Sequence, residues 1–124
     1  MQDKLKYLIL KIMGIKPESS NGVSVIIRDP NNYEKILVVK HNYAMKKWSL
    51  PGGGIHQGEM PHLAAKREAL EESNLNITKL RQIGTFTLVK KKEQLFVFEV
   101  EEFEDQPFVN GINISDWKFI ESGT

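Results

Sequence analysis

The chain has 124 residues, 40% hydrophobic and 27% charged, enough for one soluble globular domain that buries its own core. Seventeen Lys+Arg against sixteen Asp+Glu leave a formal net charge of +1, which excludes a polybasic protein held on a nucleic-acid polymer by bulk charge. Cysteine is absent, so disulfide scaffolds, thiolate metal sites and cysteine nucleophiles are excluded, and a reducing, cytoplasmic setting is expected.

Residues 1–16 place Leu5, Leu8, Ile9 and Ile12 at helical spacing, which predicts a short amphipathic helix. It is expected to pack on its own domain or on a second copy, a possible homodimer. Lys11 interrupts the apolar run far short of the roughly 18–20 residues that a membrane span requires, so no membrane partner is expected. A polar connector over residues 17–22 leads into alternating Val23, Val25 and Ile27, read as a strand. Asp29-Pro30-Asn31-Asn32 is a turn by its chemistry, and the all-apolar residues 36–39 predict a strand covered on both faces. A polar loop over residues 41–47 precedes Trp48-Ser49-Leu50-Pro51 and the triplet Gly52-Gly53-Gly54. Pro61 opens the best helix of the chain, running to about Ser73. Strands are expected again over residues 85–90, 95–100 and 117–120. One helix between two sets of strands predicts an α+β fold, a mixed sheet with helices packed against it.

The central helix carries the chemistry. At about 100° per residue, Glu68, Glu71 and Glu72 share a sector about 100° wide. Glu71 has Arg67 four residues before it, but the helical neighbours of Glu68 are Ala64 and Glu72, and those of Glu72 are Glu68 and Asn76. The like-charged pair Glu68–Glu72 costs roughly 0.2–0.5 kcal/mol with nothing bound. A divalent cation would relieve it, and all-oxygen ligands point to Mg²⁺ or Mn²⁺ rather than Zn²⁺. Ala64 and Ala65 lie in the same sector and leave room beside the acids, while Leu63 and Leu70 lie opposite and are expected to anchor the helix to a core. The glycine triplet upstream offers a backbone that a ligand can approach closely. His41, His56 and His62 have no ligand spacing among themselves and read as surface or loop histidines.

Residues 53–75 resemble the signature of the Nudix hydrolases (MutT-like), G-x5-E-x7-R-E-U-x-E-E-x-G-U. Gly53, Glu59, Arg67-Glu68 and Glu71-Glu72 stand at its fixed positions, and Leu75 ends it. The resemblance implies an α/β/α sandwich with a mixed sheet and a catalytic helix following a glycine-rich loop. It implies hydrolysis of a nucleoside diphosphate linked to a further group, with Glu68, Glu71, Glu72 and the Gly53 carbonyl holding Mg²⁺ or Mn²⁺. It also implies that Glu59 and Arg67 pair to lock the loop onto the helix. The expected partner is a small nucleotide.

The chain departs from that signature at Asn74, where the family has glycine; asparagine is the best substitute in a left-handed cap. A further acid that many relatives supply before the last strand is replaced by Asn113, leaving Glu101, Glu102, Glu104, Asp105 and Asp116 as candidate substitutes. The substrate leans toward a nucleoside triphosphate or another small nucleotide, with Arg28, Lys40, Lys46 and Lys47 as candidate phosphate contacts and Trp48 or Tyr43 as a base-stacking surface. The rival reading is a nucleotide-binding or sensing module on the same fold. The intact glutamates favour the hydrolase; Asn113 favours the module.

Overall fold

A computed structural model describes residues 21–42, 47–88, 93–104 and 114–123. Strands β1 (Gly22–Ile26), β2 (Arg28–Asp29), β3 (Asn32–His41), β4 (Trp48–Ser49) and β5 (Gly52–Gly54) precede helix α1 (Pro61–Ser73). Strands β6 (Ile77–Leu88), β7 (Glu93–Phe103) and β8 (Ile114–Glu121) follow it. The expected helix over residues 1–16 lies outside the described residues, so one helical layer of the expected sandwich is described. No helix among the described residues is long and apolar enough to cross a membrane.

The strands form two four-stranded sheets. The first runs β5-β1-β7-β6 and is mixed, as expected, with β1 parallel to β7 and the other pairs antiparallel. In the second, β3 is flanked by β2, β4 and β8, all antiparallel to it. The two sheets meet where β1 runs on into β2, and the Leu37 amide donates to the Ile27 carbonyl at 2.8 Å. Alternation sorts the apolar residues onto two faces. Val23, Val25, Ile27, Leu37 and Val39 share one core with Ala64, Ala65 and Ala69 of α1. Ile26, Ile36, Val38, Leu50 and Val97 form the other. The run at residues 36–39 is thus buried on both sides, as its composition implied.

Helix α1 packs on β1, β5, β6 and β7. Its buried face consists of Ala64, Ala65, Glu68, Ala69, Glu72 and Ser73, whereas Leu63 and Leu70 are 49% and 48% exposed. The expectation that the leucines anchor the helix is therefore wrong, and the alanines serve as the packing surface rather than as free space. Small side chains let the helix close on the sheet, and that close approach brings the acids against β5. The helix ends as its sequence suggests. Asn74 adopts φ 59° and ψ 24°, and its amide donates to the Leu70 carbonyl at 3.0 Å, a left-handed cap.

Candidate active site at the glycine strand and helix

At Gly52 and Gly53, strand β5 is too closely approached to take a side chain. A Cβ on Gly52 would stand 2.1 Å from the Val23 carbonyl oxygen, and one on Gly53 would stand 2.6 Å from Glu68 Oε1. Bare backbone here lets two glutamates of α1 reach the strand. Gly52 N–H donates to Glu72 Oε1 at 2.8 Å. Glu72 Oε2 lies 2.5 Å from His41 Nε2, and the ring nitrogen donates because a carboxylate only accepts.

Arg67 organises the other end. Its Nε and Nη2 donate to the two oxygens of Glu59, both at 2.9 Å, while Nη2 also reaches the Gly54 carbonyl at 2.9 Å. The His56 amide donates to Glu59 Oε1 at 3.0 Å. The loop between β5 and α1 is thereby tied to the helix by a two-pronged ion pair, a strong geometry. Arg67 Nη1 further donates to Glu68 Oε1 at 2.9 Å and to Glu71 Oε2 at 3.4 Å.

Two of the three carboxyls on this guanidinium are shifted in opposite directions. Glu59 is held down to about 2, first by its bonds from Arg67 and then by the His56 amide. Glu68 is pushed above its ordinary value, first by burial and then by the charge of Glu72, which together outweigh Arg67. Arg67 is itself driven further toward its charged form, chiefly by Glu59.

Among the described residues no three His, Asp or Glu side chains already converge as a metal cage. That does not disqualify Mg²⁺, which binds through one or two carboxylates and completes its shell with water and substrate phosphates. Two buried glutamates against the bare backbone of Gly52 and Gly53 fit such an ion. Glu71 sits at the rim with its side chain 42% exposed.

The other candidates are dispersed. Arg28 pairs in register with Ile36, and Trp48 with Lys40, so all three candidates, Arg28, Lys40 and Trp48, stand on the face of Ile36 and Val38, away from α1. Arg28 is engaged by Glu99 at 2.5 Å and by the Tyr33 carbonyl at 2.8 Å. Lys47 is exposed before β4. Lys46, Tyr43, Asp105 and Asn113 lie outside the described residues. Phe96 of β7 lies beside Val23, which faces Gly53; further along β7, Glu101 lies 3.8 Å from Arg81 and Glu102 accepts from Thr78 Oγ1 at 3.1 Å, so both are engaged with β6, while the Glu104 amide donates to the Asn76 carbonyl at 3.0 Å. Asp116 pairs with Lys40 on the far face and receives its neighbour Trp117's amide at 2.8 Å. His41 was missed by sequence reasoning. Its only signal was parity, two residues beyond Val39 on the same face.

A glycine strand, an arginine-locked loop and an acidic helix in this order define a class, and known proteins share it. The sequence pattern of the NUDIX domain matches residues 19–122, and the chain belongs to the Nudix hydrolase family. Its α+β fold is that of a MutT from Aliivibrio salmonicida or Vibrio cholerae, with a TM-score of 0.70, 21% identity and 84% and 81% of the two chains covered. A Bacillus subtilis protein provisionally named as an 8-oxo-dGTP diphosphatase is 30% identical over 84% of this chain and 68% of its own length. A zebrafish oxidized purine nucleoside triphosphate hydrolase is 33% identical over 55% of this chain, which spans less than half of that relative, 46%.

Proposed function

We propose that this protein is a divalent-metal-dependent pyrophosphohydrolase that cleaves the diphosphate linkage of a nucleoside triphosphate or another small nucleotide. The observation that carries this reading is the pair Glu68 and Glu72, both buried and both turned to the glycine strand. Glu68 and Glu72, with Glu71 at the rim, would hold Mg²⁺ or Mn²⁺; the Gly53 carbonyl, the ligand that the resemblance implied, is turned along the sheet toward Gly22 and Val23. Bound there, the metal would offset the charge of the diphosphate and ease ionisation of the attacking water. Water adds to one phosphorus, the bridging P–O bond breaks, and the two phosphate products each leave with an oxygen from that bridge or from water.

The chain's own residues prepare that step by holding positions. Gly52 N–H and His41 Nε2 fix both oxygens of Glu72, so its remaining lone pairs have one orientation. Arg67 fixes one oxygen of Glu68, whose carboxyl is pushed above its ordinary value by burial and by the charge of Glu72. The Glu59–Arg67 pair keeps the loop from shifting the glycine strand. The names of the relatives support an oxidised or ordinary purine triphosphate as the first substrate to try.

A phosphate-release screen tests the reading, using nucleoside triphosphates, nucleotide sugars and dinucleoside polyphosphates with Mg²⁺ and with Mn²⁺. The expected result is turnover that depends on either metal and is lost in Glu72→Gln. Absence of turnover on every substrate would leave the binding module in its place.

A further inference from the structure

Helix α1 packs on β1, β5, β6 and β7, and the face it covers continues past its edge onto β3 and β8. Register defines what stands there. Val39 pairs with Trp117 across β8 and with Ser49 across β4, and Leu37 pairs with Phe119. Directly paired residues share a face, so Ser49, Trp117 and Phe119 stand on the α1 side of the sheet. Trp117 and Phe119 are part-buried, their rings edge to face with centroids 5.9 Å apart and planes at 80°. His41, two residues beyond Val39 on that same face, touches Glu72. Val39 and its partner Trp117 are therefore roughly 7 Å along the strand from the histidine that bonds the glutamate.

We infer that Trp117, backed by Phe119, is the stacking surface for a nucleobase, with Ser49 as a hydroxyl partner for its edge. The inference rests on the proposed reading, since it takes the diphosphate to lie at Glu68 and Glu72. From there one nucleoside length leads along β3 to the indole. The chemistry of the wall selects the occupant. Leu37, Val39, Trp117 and Phe119 carry no charge, and the next pair on that face, Lys35 and Glu121, stands roughly 7 Å beyond Leu37, at the end of the strands away from His41, and is of opposite charge. A polyphosphorylated or sugar-like group would need cations or several donors there, whereas a flat base needs an aromatic plane and few hydrogen bonds. Trp48, the stacking candidate named from sequence, stands on the opposite face and is covered instead by Lys118, whose Nζ is 4.3 Å from the ring centroid.

The chain has two tryptophans, and their opposite placement makes the test. In Trp48→Phe the remaining emission is that of Trp117; in Trp117→Phe it is that of Trp48. Purine and pyrimidine nucleoside triphosphates, inorganic tripolyphosphate and inositol hexakisphosphate are titrated with Mg²⁺ into both variants. At least one nucleoside triphosphate is expected to quench Trp117 saturably, leaving Trp48 unchanged, while tripolyphosphate and the inositol phosphate quench neither. In steady-state assays Trp117→Ala should raise KM about tenfold or more with kcat within about threefold, and Trp117→Phe should recover most of the loss. Trp117 emission that no nucleotide alters, or that tripolyphosphate alters equally, overturns the inference even where hydrolysis is brisk. Saturable quenching without hydrolysis by the unsubstituted protein keeps the base surface and overturns the hydrolase. Should Trp117→Ala fail to fold, the fluorescence of Trp48→Phe still decides.

Discussion

Glu59 and Glu68 are bonded to the same guanidinium, yet one is an easy anion and the other a reluctant one. Glu59 receives two bonds from Arg67 and one from the His56 amide, and its pKa falls to about 2. Glu68 receives one bond, is buried and faces Glu72, and its pKa rises. The difference separates an acid that ties the loop to the helix from an acid buried beside a second acid. Charge that is fully answered inside the protein is structural; charge buried beside its like is a standing demand for a ligand.

The largest test of that contrast is Glu72→Gln. Turnover should fall about 10²–10³-fold, because the amide keeps the shape and removes the charge. In the same variant Mg²⁺ should no longer raise the melting temperature as it does in the parent by mass action. If the variant keeps full activity, the helix acids are not the metal site. Glu59→Gln comes next. It loosens the loop without removing an acid from the buried pair, so activity should drop about 10–100-fold, the usual worth of a residue that orients ligands rather than binding the metal. A loss as deep as that of Glu72→Gln would erase the distinction.

The two faces of α1 give a third test. Ala65→Leu should destabilise by about 1–3 kcal/mol through overpacking, although it adds a better apolar residue. Leu63→Gln, on the exposed side, should stay within about 0.5 kcal/mol. Urea midpoints with equal slopes would measure both. The smallest expected effect is acid dependence. Because the folded-state pKa of Glu59 lies below its ordinary 4.5, its contribution is present above about pH 4.5 and is lost as pH falls toward about 2. The stability gap between the parent and Glu59→Gln should therefore narrow from pH 5.5 to pH 3. A gap that widened on acidification would reverse the assignment.

Local signals in the sequence proved sufficient wherever the physics is local. Pro61 and Asn74 bracket the helix because one presets φ at its first turn and the other tolerates the left-handed exit. The doubly buried run at residues 36–39 was legible from composition alone. The spacing from Gly53 to Glu72 made the family visible, since Arg67 can meet Glu59 and Glu71 only at those offsets. Tertiary structure decided which side of each element matters. Helical periodicity says that Leu63 and Leu70 share a side and that Ala65, Glu68 and Glu72 share another, but not which is buried. Here the small side won because the sheet is approached through glycine and alanine, and the usual rule that leucine goes inward yielded to that closeness. Strand parity likewise sets Lys40 against His41 without saying which one faces the helix. Only the placement of α1 brought Glu72 onto His41, left Arg28, Lys40 and Trp48 on the far face, and put Trp117 in line with the glutamates, because contacts between residues so distant in sequence are made by packing and not by propensity.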